Sequence, residues 1–356
     1  MFAPTYTITP KLLDYVSQIA EIRTLVNQAK ILPQREAVLR RQAQVRMAHT
    51  STKIEGNPLA EYEVEKVLSG QKVRAGKTHI YEVKNYEQAL QFLEHLTAKQ
   101  SQNATQTITP QIILNLHKLV LKGLSPEEKR GHWRPANIYI ITYKLEKTQV
   151  DYTGPSSHQI SRLIQDLIHW IFTAEDQEHL HPVIISGLIH HQFESIHPFV
   201  DGNGRVGRLL TLLYLHLREW DFKHLITLEN YYAQDRRRYI ETLRTTGKTF
   251  EEKQKADLTQ WLEYYSEGFL QEANQVKEQI LPIALAGTQG QIFLDKDELR
   301  ILDFLATMGQ MKSSDVADIL TIPKRTAQAK IKELVDKKVI QAKGKGPATS
   351  YALPSL

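Results

Sequence analysis

From His197 to Arg208 the chain reads His-Pro-Phe-Val-Asp-Gly-Asn-Gly-Arg-Val-Gly-Arg: a base, an acid, a glycine-framed turn and two arginines in one run. Those residue types suit phosphate chemistry. An imidazole takes a proton near neutral pH, a carboxylate oxygen suits Mg²⁺, and Gly202 and Gly204 let main-chain N–H groups approach an anion with no Cβ in the way. The apolar stretch Leu209–Leu215 follows at once, so the loop opens into a buried helix. Its N-terminus would face the phosphates, where free N–H groups and the helix dipole favour negative charge. A Gly-x-Gly alone marks a turn and a His beside Pro is usually structural; it is their joint occurrence that points to a site.

The run resembles the signature of the Fic family, His-x-Phe-x-(Asp/Glu)-Gly-Asn-Gly-Arg-x-x-Arg, and meets every defined position. The resemblance implies transfer of a nucleotidyl group, most often AMP from ATP, to a Ser, Thr or Tyr hydroxyl of a target protein or of the chain itself. It implies His197 as general base, Asp201 as the Mg²⁺ ligand, and Gly202, Asn203 and Gly204 as the anion-holding loop, with the Asn203 side chain aimed at phosphate oxygens. Arg205 and Arg208 are then phosphate clamps. The physical demands agree, because a hydroxyl is a poor nucleophile until a base relieves it of its proton, and guanidinium forks match phosphate oxygens. Phe199 reads as a packing anchor for the loop.

A second segment, Ser51-Thr52-Lys53-Ile54-Glu55-Gly56, is similar to the family's inhibitory pattern (Ser/Thr)-x-x-x-Glu-(Gly/Asn). This implies an inhibitory helix at about 45–57 whose Glu55 pairs with Arg208, from the same chain or a partner, where the ATP γ-phosphate must sit. Two anions cannot share that place. Removal of AMP by a water that Glu55 orients is permitted by the same residues. For the adenine, the resemblance implies Tyr231, Tyr239 and Leu243, although this chain has Arg238-Tyr239 where family members often pair tyrosines. An aromatic at helical spacing is more often core than cofactor wall.

The elements that must position these residues read as helical almost throughout. The expected fold is all-α, a Fic-type helical core with a small β-hairpin flap, followed by a C-terminal winged helix-turn-helix domain. The expected divisions are 1–100 for the N-terminal helical region, 101–282 for the catalytic core and 283–356 for the winged helix. Apolar spacing from about Lys11 to Leu39 and from Val83 to Leu96 predicts helices, Pro110 opens one through Leu121, and Ile160–Phe172 and Pro182–Ile196 are two more. The last of these delivers His197. Asn137–Tyr143 and Val150–Tyr152, β-branched and aromatic around a polar turn, predict a hairpin. Its place resembles the family's flap, which aligns a target segment by main-chain pairing; a hairpin that merely covers the core is the other reading.

Beyond Pro282, helices are expected at Leu299–Leu305, Ser313–Leu320 and Arg325–Val335, and potential strands within Ile340–Tyr351. Lysines and arginines concentrate between Lys324 and Lys345, with Thr326, Gln328, Lys330 and Lys332 on or beside the exposed face of the expected recognition helix. Contact with DNA phosphates and contact with another protein both fit. The rival function is therefore a nucleotide-sensing, DNA-binding transcriptional regulator without transferase turnover.

At 356 residues and 41% hydrophobic content, the chain suits a buried core with appendages. No stretch approaches the roughly 20 apolar residues of a membrane span, and Met1–Pro10 lacks a basic segment leading an apolar one, so a cytoplasmic protein is expected. Zero cysteines exclude disulfides and thiolate metal sites. His179, His181, His190, His191 and His197 cluster in sequence without zinc spacing and read as packing groups. A homodimer is compatible with all of this.

Overall fold

Apolar residues recurring every three or four positions favour helices, and in the computed structural model the described residues are largely helical, with two short hairpins. The structure describes residues 2–31, 33–98, 108–144, 147–176, 178–286, 294–308, 310–344 and 349–352. The chain forms two compact units, residues 1–23 with 43–273 and residues 24–42 with 274–356.

In chain order the elements are α1 (Pro10–Gln28), α2 (Pro33–Ile54), α3 (Glu61–Leu68), α4 (Lys77–Ala98), α5 (Pro110–Val120), β1 (Tyr139–Lys144), β2 (Lys147–Thr153), α6 (Ile160–Asp176), α7 (Pro182–Ile196) and α8 (Asn203–Leu217). They continue as α9 (Leu228–Gln234), α10 (Arg236–Arg244), α11 (Phe250–Lys255) and α12 (Thr259–Ala286). The single helical stretch expected from Lys11 to Leu39 is in fact two helices. Pro33 opens the second, since a residue with no N–H and a fixed φ suits a first turn and cannot continue the helix before it. The expected inhibitory helix is accordingly longer on its N-terminal side.

Two central helices carry the site. Almost every residue of α7 from Val183 to Ile196 is buried, as its near-continuous apolar sequence requires. It starts at Pro182, capped by the His181 ring accepting from the Val183 N–H. It packs against α8 at Gly207, where a Cβ would come within 2.6 Å of Glu194 Oε1 and 3.0 Å of the Phe193 ring. The glycine therefore sets how closely these helices approach.

Strands β1 and β2 pair antiparallel from Tyr139↔Thr153 to Lys144↔Lys147, with an irregularity at Ile140/Ile141. This is the hairpin read from the sequence; residues 145–146 at its tip lie outside the described residues. At its base Thr153 donates to the Lys248 carbonyl at 2.8 Å.

The second unit contains α13 (Lys296–Met308), α14 (Ser313–Leu320), α15 (Lys324–Asp336) and the antiparallel strands β3 (Gln341–Lys343) and β4 (Ser350–Ala352). Ile301, Leu305, Val316, Ala327, Ile331 and Leu334 bury the apolar stripes of its three helices into one core. Thr321, left-handed at φ 56°, ends α14 and starts the turn into α15. Lys330 is held by Asp295 at 2.9 Å and Asp297 at 3.2 Å, so it is not the free recognition-helix cation that its spacing suggested. Lys345 lies outside the described residues.

Candidate active site

The histidine of the run is presented by the way α7 stops. His197 takes a left-handed conformation, φ 49° and ψ 61°, and its N–H closes the helix onto the Phe193 carbonyl at 3.0 Å. A non-glycine residue held there is strained unless its surroundings enforce it. Here they do, because Arg134 Nε donates to the His197 carbonyl at 2.9 Å and the Arg134 N–H donates to Pro198 O at 2.9 Å. The His197 Nδ1 lies 3.3 Å from the Glu194 carbonyl, which can only accept. Nδ1 therefore carries the hydrogen, and Nε2 keeps its lone pair. Burial pushes the imidazole down to about 4, with Arg134 and Lys253 acting in the same direction, so it is neutral at pH 7.

Asn203 holds the loop between α7 and α8 in shape. Its Oδ1 accepts from the Phe199 N–H at 2.8 Å and its Nδ2 donates to the Phe199 carbonyl at 2.9 Å. This corrects the expectation for its side chain, which braces the loop instead of reaching phosphate. Phe199 is buried and stacks on His117 with ring centroids 3.8 Å apart and on Trp133 at 5.2 Å, the anchor expected of it. Gly202, at φ 80°, turns the chain into α8, a conformation that suits a glycine. Asp201 meets the Gly202 N–H through Oδ1 at 2.6 Å, and its side chain remains 70% exposed.

The two arginines differ in what they hold. Arg208 is buried and held by α2 and the residue after it: Nε donates to Ser51 Oγ at 2.9 Å, and Nη2 to Ser51 O at 3.0 Å and to Glu55 Oε1 at 2.7 Å. Ser51 and Glu55, four residues apart, face the same side, which is the physical content of the sequence pattern. Burial alone would raise the Glu55 carboxyl, but Arg208, with Arg205 and Arg236, holds it below the usual carboxylate range. The same pairing raises Arg208 against its burial. The carboxylate sits directly over Gly204, where a Cβ would be 2.5 Å from Glu55 Oε1. Arg205 is also buried, yet it has one contact, Nη2 to Asp201 Oδ1 at 3.4 Å; its Nε and Nη1 have no hydrogen-bond partner among the described residues. Buried guanidinium donors left open at a helix N-terminus suit an anion.

Sequence reasoning missed three supports. His117, within the helix that Pro110 opens, accepts from the Gly131 N–H at Nδ1 (2.9 Å), so its Nε2 carries the hydrogen and donates to the Asp201 carbonyl at 3.2 Å. Burial pushes it down to about 4, which keeps that tautomer neutral. Arg134 also donates to Ala136 O and Pro155 O, at 2.7 and 2.6 Å, tying both ends of the hairpin to the histidine's main chain. Glu194, its side chain 12% exposed, sits beside His197, Gly207 and Arg208; its buried Oε1 has no hydrogen-bond partner among the described residues, and burial drives its carboxyl up to about 7.

The adenine candidates lie among other aromatic rings. Tyr231 packs its ring on Gly268, where a Cβ would fall 2.2 Å away, and against Tyr264. Tyr239 stacks on Tyr232 at 4.5 Å and shares its hydroxyl with His190 Nε2 at 2.8 Å. Both are buried among aromatic rings, and Leu243 is half-buried. His190 and His191 are buried and bonded to Tyr239 and Thr246, the packing role read from their spacing.

With the geometry in place, residues 107–215 match the model of the Fic/DOC family. Over 199 residues the chain is 29% identical to a protein adenylyltransferase Fic of Drosophila grimshawi, covering 55% of this chain and 36% of that one. A protein of the same name from Nematostella vectensis is 26% identical over 181 residues, 50% and 38% of the two chains. The chain thus spans little more than a third of the length of these curated relatives. A Fic family protein from Desulfovibrio desulfuricans G20 aligns over 100% of this chain and 99% of its own, with a TM-score of 0.64 at 22% identity. Fic-1 from C. elegans aligns over 74% and 71%, with a TM-score of 0.59 at 18% identity.

Proposed function

The chain carries a Fic/DOC family domain, and from that premise we propose that it transfers AMP from ATP to a hydroxyl of a protein side chain, held in check by its own Glu55. The observation that carries this reading is a carboxylate seated over Gly204 and bonded to Arg208, beside an Arg205 with two open buried donors. That arrangement is an anion site already filled at one end.

In the reaction, the Nε2 lone pair of His197 takes the proton of the attacking Ser, Thr or Tyr hydroxyl. The hydroxyl oxygen then bonds to the α-phosphorus, the bond to the bridging oxygen breaks, and pyrophosphate leaves. The N–H groups that open α8 and the Arg205 donors hold the phosphate charge. Asp201, exposed and an oxygen donor, fits Mg²⁺, which binds through one or two carboxylates plus phosphates and would supply charge neutralisation there. With Glu55 in place, the terminal phosphate is denied Arg208, and the α-phosphate is held out of line with the hydroxyl. The same glutamate can orient a water for the reverse removal of AMP.

The hairpin presents the target. Tyr139, Ile141 and Val150 are exposed apolar side chains on it, and an extended peptide pairing with a strand edge would leave its own side chains free to enter the site. Incubation of Glu55→Gly protein with ATP and Mg²⁺, followed by intact-mass spectrometry, should show addition of an adenylyl group on the chain or on added target. Absence of any adduct, with binding of ATP retained, would favour the nucleotide-sensing regulator.

A further inference from the structure

At the opposite end of α8 from the phosphate loop, three side chains turn toward one another. His216 lies in the last turn of α8, and Asp221 and His224 come from the segment after it. Asp221 Oδ2 is 3.6 Å from His216 Nε2 and 2.8 Å from His224 Nδ1, and the ligand atoms of all three lie within 4.8 Å of one another. The two imidazole rings stand edge to face, 84° apart with centroids at 4.6 Å. His216 and Asp221 are buried, while His224 is 28% exposed at its side chain and opens the group to solvent. Among the described residues this is the one such cluster of three.

We propose that His216, Asp221 and His224 form a binding site for a divalent transition metal of the zinc class, with a fourth position open to water. Zinc takes imidazole nitrogen and carboxylate oxygen at about 2.0–2.2 Å in a tetrahedron, which places neighbouring ligand atoms about 3.3 Å apart. The two separations from Asp221 bracket that value and the third lies within 4.8 Å, so a small inward shift of the rings completes the set. Both nitrogens lie close to one carboxylate oxygen, so all three donor types of such a site are gathered in one place. The field suits a cation as well, because the carbonyls at the C-terminus of α8 carry the negative end of its dipole. Two imidazoles select zinc, cobalt or nickel over Mg²⁺, which prefers oxygen throughout, so this site is chemically separate from Asp201. Phe222, Lys223 and His224 are all left-handed, at φ 54°, 62° and 65°. A metal would hold that turn closed and fix the segment that leads into α9.

The test uses tag-free full-length protein, stripped with a chelator and dialysed against zinc alone or against Mg²⁺ alone, with bound metal counted by mass spectrometry. The wild type should retain one zinc per chain in the presence of excess Mg²⁺, and cobalt in its place should give the strong visible absorption of a tetrahedral site. His224→Asn should weaken zinc binding about a hundredfold or more, given that loss of even an outer-shell partner costs 10–100-fold. Asparagine tolerates the left-handed backbone, so this variant keeps the turn. His95→Asn, on the exposed face of α4, should bind as the wild type does. A wild type that retains no zinc, or a His224→Asn protein that retains as much as the wild type, would reduce the cluster to a buried Asp–His contact and overturn the proposal.

Discussion

At the level of single residues, the roles follow from what each side chain has left to give. His197 keeps one ring nitrogen free and is neutral at pH 7, so His197→Ala should abolish transfer, by about 10²–10⁴-fold or more, without changing the melting temperature greatly. Glu194 gives a pH signature. Its carboxyl is raised from 4.5 to about 7, so the folded protein binds that proton more tightly than the unfolded chain, and stability falls as pH climbs through that window. The loss is at most about 3 kcal/mol. Glu194→Gln, which cannot ionise, should gain stability relative to wild type as denaturation is followed from pH 5 to pH 8. A constant difference across that range would mean that Glu194 is already ionised. None of this was visible in the sequence, where Glu194 is one more acid on a helix; its burial comes from packing of α7 on α8. His197, Asp201 and the glycines were legible because the chemistry lies in one continuous run.

The elements set the geometry through contacts that sequence spacing cannot show. Ser51 and Glu55 were legible as the two ends of a pattern that the resemblance supplied, but their grip on Arg208 spans more than 150 positions. His117 and Arg134 reach 84 and 63 residues along the chain to the loop between α7 and α8, and no periodicity announces such a contact. The packing of the Tyr231 ring on Gly268 is illegible for the same reason, since it exists only once α9 and α12 are packed. Two outcomes test the elements. Arg134→Ala should cut transfer about tenfold or more by releasing both the hairpin base and the His197 backbone, read as a fall in kcat by labelled-ATP assay. Gly207→Ala should lower stability by about 1–3 kcal/mol, measured by denaturant titration, because the methyl group meets Glu194 and Phe193 in a closed interface. Unchanged stability would show that α7 and α8 can move apart freely.

For the whole molecule, a filled anion site predicts how nucleotide and partner binding behave. The second unit bears exposed Arg325, Thr326, Gln328 and Lys332 on α15, while Lys330 is already paired. If this unit contacts DNA, neutralising Arg325, Lys332 and Lys343 should weaken duplex binding and flatten its salt dependence by about 0.9 per lost phosphate contact, while Lys330→Gln does little. The order of helices and hairpin was legible there from apolar spacing; the pairing of Lys330 was not, since its partners lie at the start of α13, more than 30 residues away. The central claim is that Glu55 occupies the place of ATP's terminal phosphate. Calorimetric titration of ATP and ADP into wild type and Glu55→Gly tests it most directly. In the wild type the two nucleotides should bind alike, because the γ-phosphate finds Arg208 taken; in Glu55→Gly, ATP should gain about tenfold or more over ADP. The same ATP-to-ADP ratio in both proteins would contradict the account.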